Sequence, residues 1–169
     1  DGLNNNYSSA VFKKESTTID SHVYNDFKTI RNNFNLYKIF KFIRRIIRYN
    51  KNEIRFFGLD DPEKAKGISA FKKIYCNELS KFYESDYDEL LDRMRGIEGQ
   101  QLICDFNPIS EKHWIKTKVF DSEDFIEQEN KYLHPTSYVK KNRAGDIVII
   151  KTTYLDNFWV VGSRCGTYG

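Results

Sequence analysis

The sequence predicts an α/β fold built on a largely parallel sheet. Strand-like runs alternate with segments of helical periodicity, and several of those runs are continuously apolar, as strands covered on both faces are. The length of 169 residues, 40% hydrophobic and 15% aromatic, sets the scale of one domain with a sizeable core.

The elements follow in order. Ser9-Ala10-Val11-Phe12 is a short β-prone run ending in Lys13-Lys14-Glu15-Ser16. Asp20 is placed to cap a helix over His22 to Phe34, which sets Val23, Phe27, Ile30 and Phe34 at helical spacing. Residues 36–57 read two ways. Leu36, Ile39, Phe40, Ile43, Ile46 and Ile47 fit one helical face, yet Arg45–Tyr49 and Glu53–Phe57 are β-rich runs around Asn50-Lys51-Asn52, which is hairpin chemistry. A hairpin is expected over 45–57, with 36–44 left open.

Gly58-Leu59-Asp60-Asp61-Pro62 breaks the strand, and Phe71 to Cys76 is a short apolar-rich run closing on Asn77-Glu78. A helix is expected from Glu84 to Met94, carrying Tyr87, Leu90, Leu91 and Met94 on one side and ending at Gly96. Gln101 to Phe106 reads as a strand ending at Asn107-Pro108, and His113 to Phe120 as a short helix with Trp114 and Ile115. The charged stretch 121–145 is expected to be a loop or insertion. Ile147 to Thr153 reads as a buried strand.

Several classes are excluded. No stretch approaches the roughly 18 apolar residues that a membrane-spanning helix needs, and 26 aromatics argue against a fully disordered chain. Cys76, Cys104 and Cys165 have neither disulfide-framework nor zinc spacing, so reduced cysteines in a reducing compartment are expected. His22, His113 and His134 lack metal-ligand spacing, and no Gly-x-Ser-x-Gly elbow occurs. No signal peptide or lipidation motif is visible. The net charge of +3 hides an asymmetry: residues 1–58 carry 11 Lys/Arg against 5 Asp/Glu, and 59–169 carry 16 against 19. A basic front of this kind can face phosphate or be an ordinary solvated surface.

Chemistry in parallel α/β sheets gathers at the carboxyl ends of strands. Cys76 followed by Asn77-Glu78, and Phe106 followed by Asn107, are such ends. An apolar strand leading into a carboxylate is how P-loop ATPases aim a base at a nucleotide's terminal phosphate; a glutamate there can equally be a surface residue. The matching Gly-x4-Gly-Lys-Ser/Thr cradle is missing, since none of the nine glycines begins that pattern.

Taken together, the segments resemble the ATPase domain of phage terminase large subunits of the PBSX-like kind, motors that package viral DNA into procapsids. The segments are Ala10–Lys14 with Asp20–Tyr24, Ile54–Lys64, Ile74–Glu78, Leu90–Gly96, Phe106–Pro108 with His113–Ile115, and Thr152–Asn157; their order and spacing hold over roughly residues 9–161. The resemblance implies a RecA-like ASCE P-loop NTPase core with a mostly parallel sheet, incomplete because the first strand and P-loop precede Ala10–Lys14 in the family.

It also implies roles. Ile74–Glu78 becomes the Walker B strand, and Glu78 the catalytic glutamate that activates water. Asn77 stands where the family has an acidic residue serving magnesium, and a neutral amide binds a hard cation more weakly. Asn107 matches the motif that couples γ-phosphate state to movement, and is otherwise a turn-forming Asn before proline. Lys66 is nearest to a trans-acting basic residue, with Arg93 and Arg95 as an alternative. Arg44, Arg45 and Arg48 are DNA-binding candidates.

The chain opens on Asp1-Gly2-Leu3 and closes on Arg164 to Gly169, so residues 1–169 are expected to be a partial motor domain without its nuclease domain. The parent is expected to use ATP and magnesium, act on double-stranded DNA, meet a portal protein and a small terminase subunit, and work as a homo-oligomer in the cytoplasm of an infected bacterium. Residues 1–169 alone are expected to be inactive as an ATPase and to bind neither cofactor tightly. Two other readings stand beside this one: a non-catalytic nucleic-acid or protein interaction module using basic residues 38–51, and another ASCE ATPase such as a helicase.

Overall fold

The computed structural model describes residues 8–60, 64–94 and 98–156, with the backbone alone for 64–66. It divides into two compact units, Asp1–Ile109 and Ser110–Gly169. In the first, a six-stranded sheet runs in the order β2-β3-β4-β1-β5-β6. Its strands are β1 (Ser9–Lys13), β2 (Lys41–Ile43), β3 (Ile46–Tyr49), β4 (Asn52–Gly58), β5 (Lys73–Cys76) and β6 (Gln101–Cys104). The pairs β4–β1, β1–β5 and β5–β6 are parallel; β2–β3 and β3–β4 are antiparallel hairpins. The expected parallel α/β core is present, and the expected hairpin is the pair β3–β4.

The open segment 36–44 resolves into a 3-10 turn over Leu36–Lys38 and the short strand β2. Period two wins over helical spacing because Phe42 and Ile47 point to the core side of the hairpin. Lys41 and Ile43, opposite Arg48 and Ile46, take its other face. Arg44 and Asn50 take left-handed backbone at the two tight turns.

Helix α1 (Val23–Asn33) lays Val23 and Tyr24 against one face of the sheet, where they join Val11, Ile19, Ile47 and Phe56 in a buried cluster. Aromatic edges lock it: Tyr24 and Phe27 meet Phe56 at ring distances of 5.1 and 5.4 Å. The helix starts at Val23 behind His22, not behind Asp20 as the spacing predicts. Asp20 instead accepts both Nε and Nη2 of Arg45, the latter at 2.7 Å, a geometry that favours the guanidinium fork over a backbone amide. The alternate residues Ala10, Phe12, Ile74 and Cys76 are buried on the opposite face, with Phe12 stacked on Phe57 at 5.2 Å.

Helix α2 (Glu84–Arg93) follows β5 through a 3-10 turn over Leu79–Lys81 and buries Leu90. Asp86 reaches back to the Tyr83 amide at 2.8 Å, satisfying a donor that the helix start leaves open. Gly96, the expected terminator, lies outside the described residues, as do Arg95, Asn157 and Cys165. Gly58 closes β4 against the turn after β1: a Cβ there would meet the Ser16 amide and the Asp60 carboxylate at 2.5 and 2.3 Å. That carboxylate itself accepts the Ser16 amide and hydroxyl at 3.0 and 2.8 Å.

The second unit corrects two expectations. Of the loop or insertion expected over residues 121–145, the loop is corrected: the stretch contains β7 (Phe125–Gln128) and β8 (Tyr138–Asn142), and β8 pairs antiparallel with both β7 and β9 (Val148–Lys151). The run that reads as a buried strand is therefore β9 of this small sheet, with Val148 and Ile150 about half exposed. Buried Asn142 organises the β8–β9 turn by accepting the Gly145 and Ile147 amides at 3.0 Å. Asp156 accepts from Ser137, Thr153 and the His134 amide, which hold its carboxyl well below the usual carboxylate range. The expected short helix is present as a helical segment ending in a π-helical turn over Lys116–Phe120.

Candidate functional site

Three adjacent parallel strands, β1, β5 and β6, deliver their last residues to one edge of the sheet. Register fixes this: Phe12 pairs with Cys76, and Cys76 with Cys104, so Lys13, Asn77 and Asp105 leave the three strands side by side. The ladder continues one step past each strand. The Asn77 amide donates to Phe12 O at 2.9 Å and the Asp105 amide to Cys76 O at 3.2 Å.

Lys13 is a buried lysine, its side chain 7% exposed, and it donates to two acceptors from β5's end. Its Nζ meets Glu78 Oε2 at 2.5 Å and Asn77 Oδ1 at 3.0 Å. Lys81 adds a second ammonium, 2.9 Å from Glu78 Oε1. The Lys13 bond first and the Lys81 bond second hold the Glu78 carboxyl below its ordinary value, against a smaller opposing effect of burial. Glu78 is thus an ionised carboxylate held between two cations. Its backbone is left-handed, with φ 59° and ψ 54°, an uncommon state for a residue with a side chain.

Asp105 is the residue that sequence reasoning missed. Its Oδ1 accepts the Glu78 amide at 3.1 Å and Asn77 Nδ2 at 3.3 Å, and its carbonyl accepts the Leu79 amide at 2.8 Å. The Tyr75 hydroxyl bonds to it as well; burial first and that bond second push Tyr75 up to about 12. The Asn77 amide orientation follows: a carboxylate only accepts and an ammonium only donates, so nitrogen faces Asp105 and oxygen faces Lys13. The signal is in the sequence. Reading the strand through Phe106 moves its end to Asn107, whereas β6 stops at Cys104 and the strand-end polar residue is Asp105.

Beside this edge lies an open cleft of about 400 Å³, lined by Lys13, Lys14, Lys81, Glu78, His22 and Tyr83 among others. Lys14 packs over the Tyr83 ring at 3.7 Å and bonds Asp86 at 2.6 Å. Among the described residues, no group of three or more His, Cys, Asp or Glu is placed to hold a metal ion.

Of the other expected site residues, Asn107 is exposed and takes no part in this hydrogen-bond network. The side chain of Lys66 lies outside the described residues; Arg93 is bonded to Glu89 within α2. Arg44, Arg45 and Arg48 gather on the β2–β3 hairpin. Arg45 is held by Asp20 and Arg48 by Glu53 at 3.5 Å, while Arg44 sits at the turn between the strands. Cys76 and Cys104 are free cysteines, as expected, and Cys76 is buried.

Open α/β sheets bind their ligands at the carboxyl ends of the strands, and Lys13, Glu78 and Asp105 meet at that edge of this one. Solved structures share the fold. The N-terminal domain of the DNA packaging ATPase from bacteriophage phi29 matches with a TM-score of 0.57 and 15% identity, over 90% of this chain and 77% of that one. The large terminase from a thermophilic bacteriophage matches with a TM-score of 0.55 and 18% identity, over 69% of this chain and 30% of that one. The same thermophilic phage's large terminase in complex with ATP-gamma-S matches with a TM-score of 0.52 and 18% identity, over 69% and 29% of the two chains.

Sequence comparison identifies the family. The family described as phage terminase large subunit matches residues 2–168, and the chain belongs to it. The PBSX phage terminase large subunit of Bacillus subtilis (strain 168) is 27% identical over 116 residues, 66% of this chain and 26% of that protein. The chain therefore spans about a quarter of that relative's length.

Proposed function

We propose that this chain is the part of an ATP-driven motor, packaging double-stranded viral DNA, that carries the catalytic carboxylate. The single observation that carries the reading is the placement of Glu78: an ionised carboxylate at the end of a parallel strand, bonded to the buried Lys13 of the next strand. Family membership and the fold shared with packaging ATPases support the same reading.

Bound ATP with magnesium supplies the phosphoanhydride that is cleaved. The residues of this chain do the rest that it offers. Glu78, a carboxylate ionised at neutral pH, orients the attacking water and takes its proton. Lys13 holds Glu78 in place and occupied, so the base is released to water when another anion, such as a phosphate, draws the ammonium away. Asn77 keeps its oxygen toward Lys13. The glycine cradle for phosphates is not among the nine glycines here, so the chain by itself turns over no ATP.

DNA contact falls to the basic hairpin. Lys41 and Arg48 stand directly opposite each other across β2 and β3, and Glu53 at 3.5 Å from Arg48 offsets one of the two charges. The contact is to phosphate and not to base edges, so it is salt-dependent and sequence-tolerant. A portal protein and a small terminase subunit as partners, a homo-oligomeric motor, and action in the infected bacterial cytoplasm belong to the same proposal. No helix among the described residues is long and apolar enough to cross a membrane.

The test is ATP-driven uptake of double-stranded DNA by the full-length protein in a packaging reaction. Glu78→Gln is expected to abolish uptake while DNA binding persists; uptake at the wild-type rate would overturn the reading. Robust ATP turnover by the 169-residue chain, abolished in Glu78→Gln, would overturn the division of labour.

A further inference from the structure

We infer that Asp105 is the positioning residue for Glu78: it holds the left-handed turn that aims the glutamate across β5 at Lys13. The inference rests on the reading of Glu78 as the base and extends it to a second strand. Asp105 grips four consecutive residues. Its amide donates to Cys76 O, its carboxylate accepts from Asn77 Nδ2 and the Glu78 amide, and its carbonyl accepts from the Leu79 amide.

Left-handed backbone at a residue with a Cβ is unfavourable by itself and persists where neighbours over-determine it. The Asp105 bonds to residues 78 and 79 bracket that backbone and supply the restraint. A regular extended residue at 78 would turn its side chain to the opposite face of the sheet, away from Lys13, because strand side chains alternate. Asp105 also fixes which way Asn77 points, since its carboxylate takes the amide nitrogen and leaves the oxygen for Lys13. Asp105 is itself exposed to solvent.

The measurement is the titration of the Glu78 side-chain carboxyl, followed by carbon-13 NMR in the 169-residue chain. Charged groups around it are Lys13 from β1, Lys81 from the turn after β5, and Asp105 just past the end of β6. Asp105→Ala is expected to raise the Glu78 midpoint by about one pH unit, because the glutamate drifts from Lys13. Asp105→Asn keeps an acceptor for the Glu78 amide and is expected to hold the midpoint low. Loss of the Asp105 charge alone acts in the opposite direction, so an unchanged or lowered midpoint in Asp105→Ala overturns the inference. An equal rise in both variants overturns it too.

A second readout covers poor folding of Asp105→Ala. Glycine accepts the left-handed state freely, so in a Glu78→Gly background the shift in urea midpoint caused by Asp105→Ala is expected to fall by at least about half. Equal shifts in the two backgrounds contradict the inference. Neither readout involves ATP: their failure leaves the ATPase reading standing, and retained turnover in Glu78→Gln leaves Asp105's hold on the backbone intact.

Discussion

The Lys13 ammonium lies 2.5 Å from the Glu78 carboxylate, joining the ends of two adjacent parallel strands through a lysine that is almost wholly buried. Lys13→Met keeps the apolar stem and removes the charge. Glu78 retains Lys81 and partial access to water, so the expected loss is about 1–2 kcal/mol and not that of a fully buried pair. Urea unfolding of the 169-residue chain measures it, and an unchanged midpoint would show that the pair contributes nothing to the folded state.

The same pair sets an acid dependence. The folded-state pKa of Glu78 is lowered from its ordinary 4.5, so its contribution is present above that value and disappears as pH falls through the folded one. Unfolding midpoints of wild type and Glu78→Gln, compared between about pH 6 and pH 3, are expected to converge toward the acid end. A constant difference across the range would contradict the ion pair.

Packing at the end of β4 gives an independent check. Gly58→Ala forces a methyl against the Ser16 backbone and the Asp60 carboxylate, at an expected cost of about 1–3 kcal/mol. Gly67→Ala, where nothing lies within 4 Å of the added atom, is the control and is expected to be neutral or slightly stabilising. Chemical denaturation of the two variants separates a close approach from a general intolerance of side chains.

Much of the first unit is legible in the sequence because its strands are covered. Ala10–Phe12 and Ile74–Cys76 are unbroken apolar runs, and the polar residue after each marks a strand end. The hairpin β3–β4 announces itself through Asn50, which accepts the left-handed backbone that its turn requires. The second unit is not legible, for the opposite reason. Its strands are half exposed on a small antiparallel sheet, so Tyr138–Asn142, with two lysines, looks like any solvated stretch. Ile147–Ile150 misleads because consecutive aliphatics look like burial. The site is half legible: Glu78 follows its strand directly, whereas Asp105 is hidden by an aromatic, Phe106, that extends the apparent run past the true end of β6.

The basic hairpin predicts how DNA binding responds to salt. Arg44→Gln with Lys41→Gln removes two charges from the hairpin without touching the Asp20–Arg45 or Glu53–Arg48 pairs. Affinity for double-stranded DNA is expected to drop for all sequences alike, and the slope of log affinity against log salt to flatten by about 0.9 for each phosphate no longer neutralised. Fluorescence anisotropy over a salt series reads both. An unchanged slope would leave the hairpin as a solvated face.

The role of Glu78 as the base of the proposed packaging ATPase is read by single-turnover ATP hydrolysis in the full-length protein carrying Glu78→Gln. Nucleotide binding close to wild type is expected, with a chemical step slowed by about 100-fold or more, the usual contribution of a positioned base. Hydrolysis at the wild-type rate with Glu78→Gln would contradict it.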